Sequence, residues 1–405
     1  MRFATVTHSP PLINEPPPAM NLQNLTANPQ PLTAFSPRVR KSPFFAATRR
    51  HGCNAFTIYN HTYLPLYYAD PVTDYRRLVE HVSLWDVACQ RQVEITGRDA
   101  ARFTQMLTPR NLSAVKAGQC RYVLITDENG GIINDPVLLK LGAAHFWLSL
   151  ADSDVLLWAK GLAQNAGMEV NIIEPEVSPL QVQGPKSPQV IAALFGGAAR
   201  DLKYFHFMEV EWNGASLLVS RTGWSGERGY EIYLRDAALG DALWEAVMEA
   251  GKPFSIGPGA PSHIRRIEGG MLSHGMDSGL DTNPFEMGME RLVDLEQDAA
   301  FIGKEALRRI RAEGVRRRFT GVTIDGAPLA ANEHHWPVHS NGRAVGKLTS
   351  MVHSPRLGQN IGLALLETAH TGPGSRVTIH TDDGPRDATV TALPFYDPQK
   401  KLARG

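Results

Sequence analysis

The sequence has few cysteines, no excess of either charge and no long apolar run. Three cysteines occur among 405 residues, and they form no CxxC pair and fit no framework of paired disulfides. We therefore expect reduced thiols, a cytoplasmic location and no structural zinc site, which would need four closely spaced ligands. No apolar run approaches the roughly 20 residues that a membrane helix requires, so a membrane protein is not expected.

The charges balance, with 41 Lys and Arg against 41 Asp and Glu. Proteins that bind nucleic acid by neutralising phosphates need a basic face, so this balance argues against that function class. The glycine spacings of dinucleotide- and phosphate-binding loops are also missing. The length allows about two to four packing units. The oligomeric state stays open at this point.

The first 40 residues differ in composition from the rest of the chain. Nine of the 28 prolines lie within residues 1–43, and residues 1–36 contain two charged side chains. Because proline lacks a backbone donor, this segment is unsuited to a helix or a central strand. We predict a disordered extension over residues 1–40.

Residues 41–315 alternate between helical and strand-like patterns without a strict βαβ period, which favours an α+β fold. Apolar spacing predicts a helix over residues 70–84. Hairpins are predicted over residues 121–141 and 208–220, the second folded at the turn signal Asn213-Gly214.

Residues 316–400 contain short strand-like segments separated by turn residues. This pattern is typical of a small antiparallel β-barrel, which we predict as a separate C-terminal domain. A helix rich in arginine precedes it, with basic residues at Arg308, Arg309, Arg311 and 316–318. That stretch is either a solvated helix face or a landing site for an anionic tail of a ligand.

One histidine group and one carboxylate were considered as chemical sites. The histidines at 334, 335 and 339 have no carboxylate at ligand spacing, so no metal site is predicted there. Asp135 enters the otherwise apolar segment GGIINDPV (residues 130–137). A buried lone carboxylate is costly unless it finds donors, so Asp135 is either functional or a solvated residue beside the turn.

A glycine-rich loop with a tryptophan, RTGWSGERGYEIY (residues 221–233), runs into a strand. Glu231 and Tyr233 share one strand face because side chains alternate. A carboxylate accepts two parallel N–H bonds, which suits a flat heterocycle with an amino group beside a ring N–H. The face of Trp224 can hold a cation.

Several segments, in this order and spacing, resemble the glycine-cleavage T-protein family of folate-dependent enzymes. They are GGIINDPVLLK, LQVQGPKS, RTGWSGERGYEIYL, RRIEGGML, FIGKEAL and HSPRLGQNIGLALL. The resemblance implies a three-domain cloverleaf, with ferredoxin-like α+β units in a folate-binding body of two subdomains (residues 41–315) and a β-barrel domain (residues 316–400). Other segments, such as FTIYNHT, are similar to the family's sulfonium demethylases.

The resemblance also implies roles for individual residues. Glu231, Tyr122 and Asp135 match positions that bind tetrahydrofolate, and Asp135 matches the catalytic aspartate near folate N5. Trp224, Tyr233, Tyr59 and Tyr122 match aromatic positions around the substrate. The demethylases carry a lysine after the Trp-Ser pair, where this chain has Gly226, so Arg228 is considered as a replacement cation.

The resulting hypothesis is transfer of a methyl group from a small onium compound, dimethylsulfoniopropionate or similar, to N5 of tetrahydrofolate. One alternative is an aminomethyltransferase, which needs a lipoyl-bearing partner protein, or another folate-dependent N- or O-demethylase. Another alternative is a non-catalytic folate-binding protein. The cysteine motif of such proteins is missing from NPFEMGMERLVDLE (residues 283–296). The expected partners are therefore a small methyl donor and folate.

Overall fold

A computed structural model describes residues 35–405, and most of the predicted N-terminal extension lies outside these residues. Its last residues, 35–40, are within the described part and contact the body. The ring of Phe35 packs edge-on against that of Tyr63, with 5.1 Å between the centroids, and Arg40 forms an ion pair with Glu174. The packed part of the chain thus begins ahead of the boundary predicted at residue 40.

The body contains fifteen strands and seven helices among the described residues. The strands are β1 (Ala55–Tyr59), β2 (Thr62–Tyr67), β3 (Val82–Asp86), β4 (Gln92–Thr96), β5 (Gln119–Tyr122), β6 (Ile125–Thr126), β7 (Ile132–Asn134), β8 (Val137–Gly142), β9 (His145–Ser149), β10 (Asn171–Ile173), β11 (Ser178–Gln183), β12 (Phe207–Trp212), β13 (Ala215–Ser220), β14 (Gly229–Leu234) and β15 (Ile256–Gly259). The helices are α1 (Phe45–Arg50), α2 (Pro71–Glu80), α3 (Ala100–Leu107), α4 (Val155–Ala166), α5 (Ser187–Arg200), α6 (Gly240–Gly251) and α7 (His263–Glu268).

Two sheets organise the body. The first has the order β12-β13-β14-β11-β3-β15, with β15 parallel to β3 and the other pairs antiparallel. The second has the order β10-β4-β9-β8-β5 and is antiparallel. Between them lies an apolar cluster with Cys120, Leu139 and Trp147 from the second sheet and Leu218 and Tyr233 from the first. This contact holds β5 and β14, which carry candidate site residues, close to each other.

The predicted helix over residues 70–84 is wrong at its C-terminal end. It begins as expected, because the Asp70 side chain accepts hydrogen bonds from two backbone N–H groups of the first turn at 2.9 Å. It ends at Glu80, and residues 82–86 form β3. Val82 and Leu84 continue the apolar spacing of the helix, but they are buried because β3 pairs with β11 in the middle of a sheet.

The C-terminal part forms a closed antiparallel barrel, as predicted. Helix α8 (Lys304–Glu313) leads into it, and α9 (Lys401–Arg404) follows it. The barrel order is β16-β19-β18-β17-β20-β21, and its strands are β16 (Arg317–Ile324), β17 (Trp336–Ser340), β18 (Arg343–Ser354), β19 (Gln359–Glu367), β20 (Arg376–Thr381) and β21 (Gly384–Thr391). The observed mixture of helices, sheets and barrel confirms the α+β prediction.

A buried carboxylate joins the barrel to the body. Asp277 accepts hydrogen bonds from Arg266 at 2.8 Å, from Thr349 at 2.6 Å and from Ser350 at 2.7 Å. The ion pair with Arg266 on α7 is almost fully buried. Because every oxygen of the carboxylate is satisfied, this contact stabilises one placement of β18 against the body.

None of the helices within residues 35–405 is long and apolar enough to cross a lipid bilayer.

Candidate active site

The glycine-rich loop between β13 and β14 is packed around the side chain of Gln183. Its amide donates to the carbonyl of Tyr230 at 3.2 Å and accepts from Ser225 at 2.6 Å. A Cβ atom at Gly223 or Gly229 would lie 2.2 Å or 2.0 Å from the Gln183 Oε1 atom. Glycine is therefore needed at both positions, because the Gln183 side chain leaves no room for a Cβ atom. The loop and Gln183 are packed as one unit.

Glu231 follows this loop on β14 and is 3% exposed. Its Oε1 atom accepts from Gln181 Nε2 at 2.7 Å, and its Oε2 atom accepts from Thr222 Oγ1 and from the Tyr233 hydroxyl at 3.3 Å. Burial raises the pKa of Glu231, while these three hydrogen bonds oppose that shift. A carboxylate offers about four lone-pair positions, so Oε1 retains one for a ligand donor.

Tyr233 lies next to Glu231 on β14, and its side chain is fully buried. The ring packs beside that of Trp147, with 6.1 Å between the centroids, and the hydroxyl reaches Glu231. The shared strand face of Glu231 and Tyr233 predicted from alternation is thus observed. The Tyr233 hydroxyl thus contacts the carboxylate of Glu231, and its ring does not lie on a surface that a ligand could reach.

Asp135, which lies between β7 and β8, and Tyr122, the last residue of β5, form a second polar pair. The Tyr122 hydroxyl donates to Asp135 Oδ2 at 2.6 Å, whereas Asp135 Oδ1 has no hydrogen-bond partner among the described residues. Burial raises the pKa of Asp135 to about 7, and the bond from Tyr122 opposes the shift. A carboxyl group with this pKa and a free oxygen can exchange a proton near neutral pH.

Tyr59 is brought to the same place by the β1–β2 hairpin. Asn60 at its turn donates two hydrogen bonds, to the carbonyls of Cys89 at 3.1 Å and Ala151 at 2.8 Å. Burial raises the pKa of Tyr59, and the charge of Asp135 adds to the shift. Tyr59, Tyr122 and Asp135 therefore form one group, although the hairpin is far from the other two in sequence.

Among the predicted aromatic residues, Trp224 lies in the glycine-rich loop between β13 and β14. It is partly exposed, and its ring has no aromatic, cation or hydrogen-bond partner among residues 35–405. Its face is thus available to a ligand.

The charged residues beside Trp224 are both engaged by other parts of the chain. Glu227 forms a buried ion pair with Arg265 at 2.7 Å. Arg228 Nη1 donates to the carbonyl of Gly405 at 3.0 Å, and the nearby Arg221 donates to that of Ala403 at 3.0 Å. In this arrangement Arg228 binds the C-terminal segment, so the structure offers no support for it as a replacement for the lysine of the demethylases.

Comparison with known proteins agrees with this architecture. Residues 44–297 match the GCVT N-terminal domain, and residues 317–397 match the glycine cleavage T-protein C-terminal barrel domain. The chain belongs to the glycine cleavage T-protein family. The resemblance found in the sequence motifs is thereby confirmed.

Three similar proteins are informative. The chain is 40% identical over 355 residues to the dimethylsulfoniopropionate demethylase DmdA of Ruegeria pomeroyi, covering 88% of this chain and 97% of the relative. It is 31% identical over 342 residues to an aminomethyltransferase of Thermoanaerobacter pseudethanolicus, covering 82% and 91%. The solved aminomethyltransferase T of the glycine cleavage system from Bartonella henselae has the same fold, with a TM-score of 0.80 at 23% identity over 89% of this chain and 98% of that one.

Two polar partners of the predicted site residues were not singled out from the sequence. Gln181 lies opposite Glu231 in the β11–β14 register, and its Oε1 atom has no partner among the described residues. Arg110 donates to the carbonyl of Tyr122 at 2.6 Å from the loop after α3. Gln181 occurs in a quoted motif, LQVQGPKS, but only strand pairing shows that it faces Glu231. No cluster suited to a metal ion occurs in residues 35–405.

Proposed function

We propose that the protein transfers a methyl group from dimethylsulfoniopropionate, or a closely similar onium compound, to N5 of tetrahydrofolate. The observation that carries this proposal is the 40% identity to a dimethylsulfoniopropionate demethylase over 97% of that relative. The lower identity of 31% to an aminomethyltransferase makes aminomethyl transfer the weaker candidate. We place the reaction in the cytoplasm, in agreement with three buried free cysteines.

The buried polar atoms fit a folate ring. Glu231 Oε1 has one acceptor position left, and beside it lies Gln181 Oε1, which has no partner in the part of the chain that the structure describes. Two adjacent acceptors suit the amino group and the ring N–H of a pterin. We therefore assign Glu231 to pterin binding. Tyr233 and Thr222 act as positioning residues, because they hold Oε2 and leave Oε1 to the ligand.

Bound tetrahydrofolate supplies the nucleophile, its N5 nitrogen. In the reaction the bond from sulfur to the methyl carbon breaks, the N–CH₃ bond forms, and the electron pair stays on sulfur, so the leaving group is a neutral thioether that needs no acid. The site must still accept the proton that N5 loses. We assign this task to Asp135 Oδ1, which has no partner within residues 35–405 and belongs to a carboxyl group of pKa about 7.

Aromatic faces suit the cationic methyl donor. Trp224, Tyr59 and Tyr122 are each partly exposed, and the two tyrosines lie beside Asp135. An aromatic face attracts a methylated cation without the desolvation that a hard anion would need. We assign these three residues to donor binding, with Tyr122 also holding Asp135 Oδ2. Holding donor and acceptor in line makes the transfer step effectively unimolecular and so lowers its barrier.

A panel of methyl donors tests the proposed function. Purified protein is incubated with tetrahydrofolate and dimethylsulfoniopropionate, glycine betaine, dimethylglycine or a methoxybenzoate, and 5-methyltetrahydrofolate is measured by chromatography. We expect product with the sulfonium compound. Product from another donor alone would contradict the substrate, and folate binding without turnover of any donor would favour a non-catalytic folate-binding protein.

Replacing Trp224 by alanine should impair donor binding more than folate binding. A cation–π contact contributes about 0.5–2 kcal/mol, so KM for the onium donor should rise roughly 2- to 30-fold. Initial rates over a range of donor concentrations measure KM, and titration measures the folate Kd. Trp224→Phe keeps an aromatic face and should retain most of the affinity. Equal losses for donor and folate would contradict a donor-binding role.

A further inference from the structure

The glycine-rich loop between β13 and β14 is held from a second side by Arg265 on α7. Arg265 Nη2 donates to the carbonyl of Gly226 at 3.0 Å, and Arg265 Nε donates to Glu227 Oε1 at 2.7 Å. The side chains of Arg265 and Glu227 are 1% and 4% exposed. One buried guanidinium therefore binds two consecutive residues of the loop, through a backbone carbonyl and through a carboxylate.

Gly226 leaves open the space that this guanidinium fills. Its φ angle is 66°, in the left-handed region that favours glycine. A Cβ atom at residue 226 would lie 3.0 Å from Arg265 Cζ, 3.0 Å from its Nη2 and 3.1 Å from its Nη1. Because these three distances are nearly equal, the guanidinium faces Gly226 with its flat side. A side chain at residue 226 would displace Arg265.

Helix α7, which carries Arg265, has a fixed place between the body and the barrel. Glu268 at its C-terminal end is completely buried, and it accepts from the Tyr75 hydroxyl at 2.8 Å and from Ser354 Oγ at 2.6 Å. Arg356, in the turn after β18, forms an ion pair with the same carboxylate at 3.6 Å. These contacts tie α7 to α2 and to the barrel, so Arg265 extends from a rigid support.

The segment that follows the barrel packs against the same guanidinium. The centroid of the Tyr396 ring lies 5.7 Å from Arg265 Cζ and 4.1 Å from Arg356 Cζ, and the Tyr396 N–H donates to the carbonyl of Glu268 at 2.9 Å. Arg265 Nη1 is closed off from solvent and has no hydrogen-bond partner among residues 35–405. Arg265 is thus placed to hold the loop and not to touch a bound donor.

Trp224 depends on its neighbours in the loop for its position, since its ring has no aromatic or cation partner among the described residues. The two residues that follow it are both held. Ser225 donates to Gln183 Oε1 at 2.6 Å, and Gly226 accepts from Arg265. Glycine has the greatest backbone freedom of all residues. Without the contact from Arg265, the loop can turn about Gly226 and move the face of Trp224.

We propose that Arg265 is a positioning residue for the methyl donor, because it fixes the loop conformation in which the face of Trp224 meets the onium group. This inference rests on the proposed function, which assigns Trp224 to donor binding. Replacing a buried ion pair by apolar groups is often neutral for stability. We therefore assign the pair of Glu227 and Arg265 to the choice of one loop conformation.

Steady-state kinetics of Arg265→Gln test the proposal. Glutamine is shorter than arginine and cannot hold Gly226 and Glu227 together. We expect KM for the onium donor to rise roughly 2- to 30-fold, up to the effect of losing the Trp224 contact itself. The Kd of tetrahydrofolate should stay parental, and kcat should fall by less than KM rises. A parental KM, or an equal loss of folate affinity, would overturn the proposal.

A double-mutant cycle shows whether Arg265 acts through Trp224. In the Trp224→Ala background, Arg265→Gln should leave KM for the donor nearly unchanged, because the contact that it positions is already lost. A further rise as large as in the parent protein would contradict the proposal. The control is Arg317→Gln, which breaks an ion pair with Glu286 outside the loop and should leave KM as in the parent.

A second variant serves if Arg265→Gln does not fold. The double variant Glu227→Gln, Arg265→Gln removes both charges and so leaves no unpaired carboxylate in the interior. Its KM for the donor should rise by the same factor, and a parental KM in this folded variant would overturn the proposal. If the parent protein makes no 5-methyltetrahydrofolate from the sulfonium compound, the proposed function fails instead. The same comparison is then made with the donor that the panel identifies.

Discussion

Replacing Asp135 by asparagine is expected to lower the rate constant of methyl transfer by about 10²- to 10⁴-fold, the usual contribution of a positioned proton acceptor. Asparagine keeps the shape of the side chain and can still accept the bond from the Tyr122 hydroxyl. It cannot take up the proton lost from N5. Single-turnover measurements with bound folate separate this effect from binding. The matched variant Asp298→Asn, at an exposed position, should keep the parental rate.

The pH dependence of the same variant gives an independent test. Because the pKa of Asp135 is raised to about 7, the carboxyl is ionised only above that value, and the parent rate should rise with pH through about 7. The profile of Asp135→Asn should be flat over this range. A parental rate in the variant, or the same pH profile in both proteins, would remove Asp135 from the mechanism.

The stability of the folded chain should fall as pH rises, whereas the reaction rate should increase. The folded chain holds the Asp135 proton more tightly than the unfolded chain, so the free energy of unfolding decreases as pH rises from the ordinary value of 3.8 to about 7. Asp135→Asn removes this penalty and should be more stable than the parent above pH 7. Thermal melting at pH 5 and pH 8 measures the difference. A loss of stability at pH 8 would mean that the carboxylate has a structural role.

Replacing Glu231 by glutamine is expected to weaken folate binding by about 1.5–3 kcal/mol, or roughly 10- to 100-fold in Kd, because a hydrogen bond to a charged acceptor is lost. The glutamine amide also presents a donor where Glu231 accepts three hydrogen bonds. Titration with tetrahydrofolate measures the effect. Donor binding should change less, since the aromatic residues assigned to the donor are left intact.

A surface residue of the same sheet supplies the control for Glu231. Glu211→Gln on β12 makes the same chemical change at an exposed position and should leave the folate Kd unaltered. If Glu231→Gln retains parental affinity while its melting temperature is unchanged, Glu231 does not bind the pterin. If Glu231→Gln loses stability, its folate affinity is compared with that of Thr222→Ser, which preserves the hydroxyl donor to the Glu231 carboxylate.

Local sequence patterns determined many of the elements correctly. The predicted helix begins after Asp70, which caps it, and Asn213-Gly214 closes the predicted hairpin with positive φ at both residues. Each of these signals acts through neighbouring backbone groups, so a short window contains the whole interaction. The barrel strands and the family motifs were visible for the same reason.

Partners that are distant in sequence could not be predicted in this way. Residues 82–84 were assigned to a helix because their apolar spacing suits one, yet they lie in a strand that pairs with β11, about a hundred residues later. Arg228 was considered for substrate binding, but it donates to Gly405. The spacing of residues along the chain contains no information on either partner.

The sequence by itself determined the fold class and the family, and it predicted candidate residues for the chemistry, since these follow from residue type and local order. Only the tertiary structure decided their arrangement. Tyr233 is buried beside Glu231, and Asp135 Oδ1 is left without a hydrogen-bond partner among residues 35–405. Burial and charge pairing set the pKa and the availability of each group, and both depend on contacts between segments that only folding brings together.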